Sequence, residues 1–215
     1  MPVEVKIRKF QAKDRDAVRQ IVYDTALIGD SAALFFQGQE IISDALSLYF
    51  TDYEPGSCFV AEINNQIVGY LIGAKDKIAA EAIFNRRIVL PLIFKAFKKG
   101  IFLNLKNLKF IFSCLIDLVK NGIHTPDYNS TYPATFHLNI KDHFRGLDIG
   151  AKLIITYLDY LKIKGVPGVH LATMSERAAN FFLAQGFRQL YKGKRTYFRH
   201  VLQRDLPLYI FGKLI

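Results

Sequence analysis

One stretch constrains the fold of this chain more than any other. An apolar, aromatic-rich strand pattern covers 132–140 and an amphipathic helix pattern covers 150–161, and the loop that joins them ends in the turn Phe144-Arg145-Gly146-Leu147-Asp148-Ile149-Gly150-Ala151. A glycine-bearing turn that feeds a helix directs several backbone N–H groups and the positive end of the helix dipole at one point, an arrangement suited to a pyrophosphate. The turn is not a P-loop, because no Gly-Lys-Ser/Thr follows, and it does not fit the G-x-G-x-x-G dinucleotide pattern. Strand, turn and helix in this order require an α/β arrangement with a sheet at its centre.

The flanking sequence extends that arrangement in both directions. Strict alternation over 3–8 predicts a half-buried strand, and Asp14 is placed to cap a helix whose stripe is Ala17, Val18, Ile21 and Val22. A second helix is expected from about Gln39 to Phe50, then a hairpin of 58–63 and 67–73 around Asn64-Asn65-Gln66. From 77 to 121 the pattern is helical, punctuated by Pro91 and Gly100, with Gly122 as C-cap. A strand over 168–173, a helix from Ser175 or Glu176 to Gln185, and two strands around a Lys192-Gly193-Lys194 turn complete the chain. The apolar end, 206–215, is expected to pack either on the 77–130 segment or on a second subunit.

Charge is unevenly spread: residues 1–74 hold 6 basic and 10 acidic side chains, 75–122 hold 10 and 3, and 188–215 hold 7 and 1. No helix-turn-helix, zinc or RNP signature accompanies the basic segments, so no nucleic-acid partner is expected. Within 105–120 a narrow polar stripe of Lys106, Lys109, Ser113, Asp117 and Lys120 leaves a broad apolar face. That face either caps the sheet, or forms a homodimer contact, or makes a peripheral membrane contact on anionic lipid. No apolar run reaches the ~18–20 residues that span a bilayer. Cys58 and Cys114 have neither metal nor redox spacing and read as buried thiols, and the N-terminus shows no signal-peptide pattern, which makes a cytoplasmic location the default expectation.

The turn at Arg145 to Ala151 resembles the Arg/Gln-x-x-Gly-x-Gly/Ala loop of the GNAT superfamily of acetyl-CoA-dependent N-acetyltransferases. Residues 168–173, followed by Ala178-Ala179-Asn180-Phe181-Phe182-Leu183-Ala184-Gln185-Gly186-Phe187, resemble that family's fifth strand and next helix, and the opening from Ile7 to Val18 is similar as well. The likeness covers about 1–75 and 130–203 of a single domain, leaving 77–130 as a helical insertion. It implies a mixed, mostly antiparallel twisted sheet with splayed central strands, flanked by helices, and acetyl-CoA as cosubstrate without a metal.

On this resemblance Leu138, Asn139 and Ile140 would line the pantetheine arm, the amides of Arg145, Gly146, Leu147, Asp148, Ile149, Gly150 and Ala151 would hold the pyrophosphate, and Ser175 and Phe182 would complete the cofactor site. Asp148 stands in place of a motif glycine, and Phe182 in place of the tyrosine that protonates the leaving thiolate in many members. Candidates for the base that deprotonates an amine are His137 and Glu62. Asp44, Tyr49 and Tyr53 fall where the acceptor, a small-molecule or protein amine, would bind, and the acidic balance of 1–74 suits a cation. The alternative is a catalytically weak CoA-binding or membrane-surface scaffold protein of the same fold.

Overall fold

The computed structural model describes residues 4–122 and 125–215, so Val3, at the start of the first expected strand, lies outside the described residues. The first half comprises β1 (Lys6–Lys9), α1 (Arg15–Thr25), α2 (Gln39–Leu48), β2 (Cys58–Ile63) and β3 (Gln66–Ala74). Three helices follow, α3 (Lys77–Ile83), α4 (Val89–Lys98) and α5 (Leu105–Asp117). The second half is β4 (Ala134–Ile140), α6 (Ile149–Ile163), β5 (Gly168–Thr173), α7 (Glu176–Ala184), β6 (Arg188–Arg195), the short α8 (Arg199–Leu202) and β7 (Leu206–Leu214).

The strands form one seven-stranded sheet in the order β1-β2-β3-β4-β5-β7-β6. Every neighbouring pair is antiparallel except β4 and β5. The β2–β3 hairpin turns on Asn64 and Asn65 alone, at φ of 48° and 63°. Asparagine tolerates that left-handed region, and two such residues in succession match the twist of the flanking strands.

Helices cover both faces of the sheet. On one face Leu153, Ile154, Tyr157 and Leu161 of α6 and Phe182 of α7 pack on Phe59, Leu71, Phe136, Val169 and Phe211. On the other, Val18, Ile21 and Val22 of α1 pack on Val60, Tyr70 and Ile72. The hydroxyl of Tyr157 reaches into the sheet, 3.1 Å from Ala74 O and 3.0 Å from Thr135 O, and donates between them. Gly73 leaves room for it, since a Cβ there would overlap the Tyr157 ring.

Three expectations are corrected. Asp14 does not cap α1; its carboxylate accepts from Gln11 N–H at 2.8 Å and pairs with Arg8, so it ties α1 to β1. Lys192, Gly193 and Lys194 lie inside β6, and the turn to β7 falls at 196–205. The C-terminal run does more than pack on the 77–130 segment, although its first residue, Leu206, shares a buried apolar cluster with Ala96 and Ile101 of that segment. It enters the sheet as β7 between β5 and β6, where the buried Leu208, Tyr209, Ile210 and Phe211 suit an interior strand flanked on both sides.

Replacing Tyr157 with Phe removes the hydroxyl donor shared by the Ala74 and Thr135 carbonyls, which keep their bonds across the β3–β4 pair. Urea unfolding is expected to show a loss of about 1–2 kcal/mol, with the sheet otherwise unchanged.

Candidate functional site

β4 and β5 pair at only two positions, Ala134↔Val169 and Thr135↔His170, and then part. Beyond that point β4 stays bonded to β3 through Gly69↔Ile140. Lys141 N–H donates to Val68 O at 2.8 Å, which fixes the alternation: odd-numbered residues of β4 turn their main-chain groups to β3. Phe136, Leu138 and Ile140 therefore turn theirs to the opening. Buried main-chain groups need partners, and this edge can take an extended ligand.

The 144–151 turn delivers α6 beside Ile140. Asp148 sits at φ 55°, left-handed, just before the helix; its side chain is exposed and makes no capping bond. The first intrahelical bond is from Lys152 N–H to Asp148 O, so the amides of Ile149, Gly150 and Ala151 precede the helical ladder. Gly146, at φ 86°, has nothing within 4 Å of where a Cβ would stand, whereas a Cβ on Gly150 would come within 2.9 Å of Phe181 and 3.4 Å of Ile140. Gly150 thus lets the start of α6 approach both β4 and α7. The Arg145 guanidinium turns away from the amides and pairs with Asp142.

A cavity of about 400 Å³ lies on the α2 side of the same opening. His137 of β4 and His170 and Ala172 of β5 form its floor, Tyr49 and Phe50 follow α2 into one wall, and Phe84 closes it from the helical segment between β3 and β4. His137 faces the cavity edge-on to the Phe50 ring, 5.4 Å away; it is exposed to the cavity, and the protein packed around it shifts its pKa below the ordinary histidine value. It is therefore neutral near pH 7 and able to accept a proton. His170 is buried, and its Nδ1 lies 2.5 Å from Tyr132 O. Since a carbonyl only accepts, Nδ1 carries the proton of the neutral ring and Nε2 is the basic nitrogen. Desolvation also lowers the pKa of His170.

The remaining sequence candidates divide. Asn139 shares the face of His137 but donates to Tyr70 Oη at 2.8 Å. Tyr49 lines the cavity and donates to Glu54 at 2.8 Å, while Tyr53 stacks on it at 6.2 Å and is largely exposed. Asp44 is not brought to the cavity as a free carboxylate: Arg19 and Lys95 both bind it. Glu62 lies on β2, two strands from the opening, and accepts from Arg8 Nε at 2.8 Å, so the structure does not bring it together with His137. Ser175 caps α7 through Ala178 N–H, and Phe182 is enclosed by Phe136, Phe187 and Phe211. His170 and Phe84 were not singled out by sequence. His170 could have been found only through the register that pairs it with Thr135, and Phe84 reads as one more apolar residue of a helical run. Among the described residues no cluster of His, Cys, Asp and Glu is arranged to hold a metal.

No family model matches the chain. Among solved structures it is similar to SsHAT, at 23% identity and TM-score 0.75 over 98% of each chain. It is also similar to the polyamine N-acetyltransferase of Drosophila melanogaster, described as forming N-acetylagmatine, at 13% identity and TM-score 0.59 over 99% of this chain and 100% of that one. The Salmonella typhimurium protein yncA, solved with acetyl-CoA as its cofactor, aligns at 14% identity and TM-score 0.57 over 98% and 93%. Each of these likenesses spans nearly the whole of both chains: the chain carries the fold of the GNAT N-acetyltransferases.

Proposed function

We propose that the protein transfers the acetyl group of acetyl-CoA to an amine by direct attack within a ternary complex. The observation that carries this reading is the two-sided opening between β4 and β5, with an amide-rich turn at its mouth and a cavity holding a neutral histidine on its α2 side. Solved neighbours named as N-acetyltransferases support it.

The amides of 146–151 and the positive end of α6 would bind the pyrophosphate. The main-chain groups of Leu138 and Ile140 would bond the pantetheine amides as an added strand. The thioester would then lie at the parting of the strands with the amine entering from the cavity. His137 takes the proton that the amine must lose, the amine nitrogen bonds to the carbonyl carbon, and the C–S bond of the tetrahedral intermediate breaks. With Phe182 closed in an aromatic cluster, no hydroxyl is supplied from that position, and the proton on His137 returns through water to the thiolate. Holding both reactants in place supplies most of the rate. The acceptor is not selected by free carboxylates from α2, because Glu40 and Asp44 are both engaged by lysines.

Calorimetric titration with acetyl-CoA, joined to a thiol-release assay over polyamines, agmatine and peptide N-termini, tests the reading. Binding with amine-dependent thiol release supports it; binding without release from any amine would favour a CoA-binding protein, and absence of binding would overturn both. His137→Gln is expected to lower kcat/KM by about 10²-fold, with acetyl-CoA affinity retained. The acid limb of the wild-type profile should fall below the usual histidine value of about 6.5 and vanish in the variant. Asp148→Gly removes a left-handed non-glycine residue and a carboxylate from the phosphate site. Its dissociation constant for acetyl-CoA is expected to be about three- to tenfold lower at low ionic strength, the gain shrinking as salt is added.

A further inference from the structure

Two helices of the segment between β3 and β4 are apolar on both sides, one side packed on the protein and the other exposed. In α4, Leu90, Ile93, Phe94 and Phe97 follow i, i+3, i+4, i+7 spacing and form one row that is 72, 50, 59 and 72% exposed. The opposite side holds buried Ala96 and Lys95, which bonds Asp44. In α5, Leu105, Leu108, Phe112 and Leu115 make a second exposed row, while Asn107 and Asp117 are the buried residues. Asn107 bonds both main-chain groups of Gln37, and Asp117 accepts from Thr196 N–H. Leu103, between the helices, is 88% exposed. The inner side of both helices, which carries Leu92, Ala96, Phe110 and Ile111 together with these polar anchors, holds the segment to the protein, and a second apolar row on each helix is left to face outward.

Charge identifies what fits that side. Over 84–122 Arg86, Arg87, Lys98, Lys106, Lys109 and Lys120 are exposed, and the sole acid, Asp117, is buried. Among the described residues none of the six cations is in an ion pair. Lys98 lies 4.6 Å from the centroid of the Phe94 ring, so cation and aromatic share one surface. A groove of about 660 Å³ beside α5 adds Lys120, Lys194, Arg199 and His200, with Asp205 as counter-charge to Lys194 and Arg199 only. Two copies joined through this face would set cations against cations.

We propose that α4 and α5 dock on the surface of a bilayer that contains anionic lipid, their apolar rows entering the interface and the flanking cations meeting the headgroups. No helix among the described residues is long and apolar enough to cross a membrane, so the two helices lie in the plane of the interface. The docking surface is separate from the opening between β4 and β5 and does not depend on the acetyltransferase reading.

Co-sedimentation of the full chain with vesicles tests this. The protein is expected to pellet with phosphatidylcholine vesicles containing about 30% phosphatidylserine and far less with phosphatidylcholine alone, with binding weakened by salt. The double substitution Phe94→Ser and Phe97→Ser changes only exposed positions. It should lower the partition coefficient by about tenfold or more while the thermal midpoint holds. Arg86→Glu with Arg87→Glu should reduce binding to the anionic vesicles alone. The proposal is overturned if the protein stays in the supernatant with anionic vesicles, or if the phenylalanine double variant pellets as well as the wild type. A concentration-dependent dimer without vesicle binding, dissociated by the same double substitution, would assign the face to a second copy.

Discussion

The molecule is organised around an interruption of its own hydrogen bonding. A sheet is stable because each interior strand satisfies its main-chain groups on both sides, and here β4 and β5 do so for two residues and then separate. The fold is built to hold that gap. β3 keeps β4 straight along its whole length, β7 does the same for β5, and Tyr157 bonds the carbonyls where β4 departs. An apolar layer of α6 and α7 supports one face, so the unpaired edge costs the protein little and remains available to an extended ligand.

The start of α6 is positioned by the same supports. Gly150 permits contact with Ile140 and Phe181 that any larger residue would push apart. The chain reaches that position by passing through a left-handed residue, and the residue there is an aspartate. Its backbone tolerates the conformation as a glycine would, while its carboxylate stays exposed, so geometry is preserved and electrostatic complementarity to a phosphate is reduced. The two histidines divide differently. Both have their pKa shifted downward by the surrounding protein, but His170 is buried and tied through Nδ1 to Tyr132, whereas His137 is exposed to the cavity and meets one aromatic edge.

The helical segment between β3 and β4 joins these features to the outside. Its first helical stretch supplies Phe84 to the cavity wall, and Lys95 of α4 with Lys99 just after it neutralises Glu40 and Asp44. The acidic balance of the first 74 residues, which on paper favours a cationic acceptor, is therefore partly cancelled within the molecule. Asn107 and Asp117 of α5 serve as polar anchors beside Phe110 and Ile111, which pack into the core, and the row of Leu105, Leu108, Phe112 and Leu115 is left uncovered.

Alternation, helical spacing and turn chemistry are local properties, and they determined which segments form strands and helices, the Asn64-Asn65 hairpin turn and the strand-turn-helix unit that ends in Gly150. Tertiary structure decided what depends on register and on neighbours distant in sequence. It placed the apolar C-terminus inside the sheet, because a strand buried on both sides and a strand awaiting a partner share one apolar pattern. It engaged Glu62 with Arg8 and Asp44 with Arg19 and Lys95, because a carboxylate's partners lie tens of residues away and leave no mark beside it in the chain. It set His170 on the face of His137 through one pairing with Thr135, and it turned the apolar rows of α4 and α5 outward, since periodicity defines a helix's faces but not which of them the protein covers.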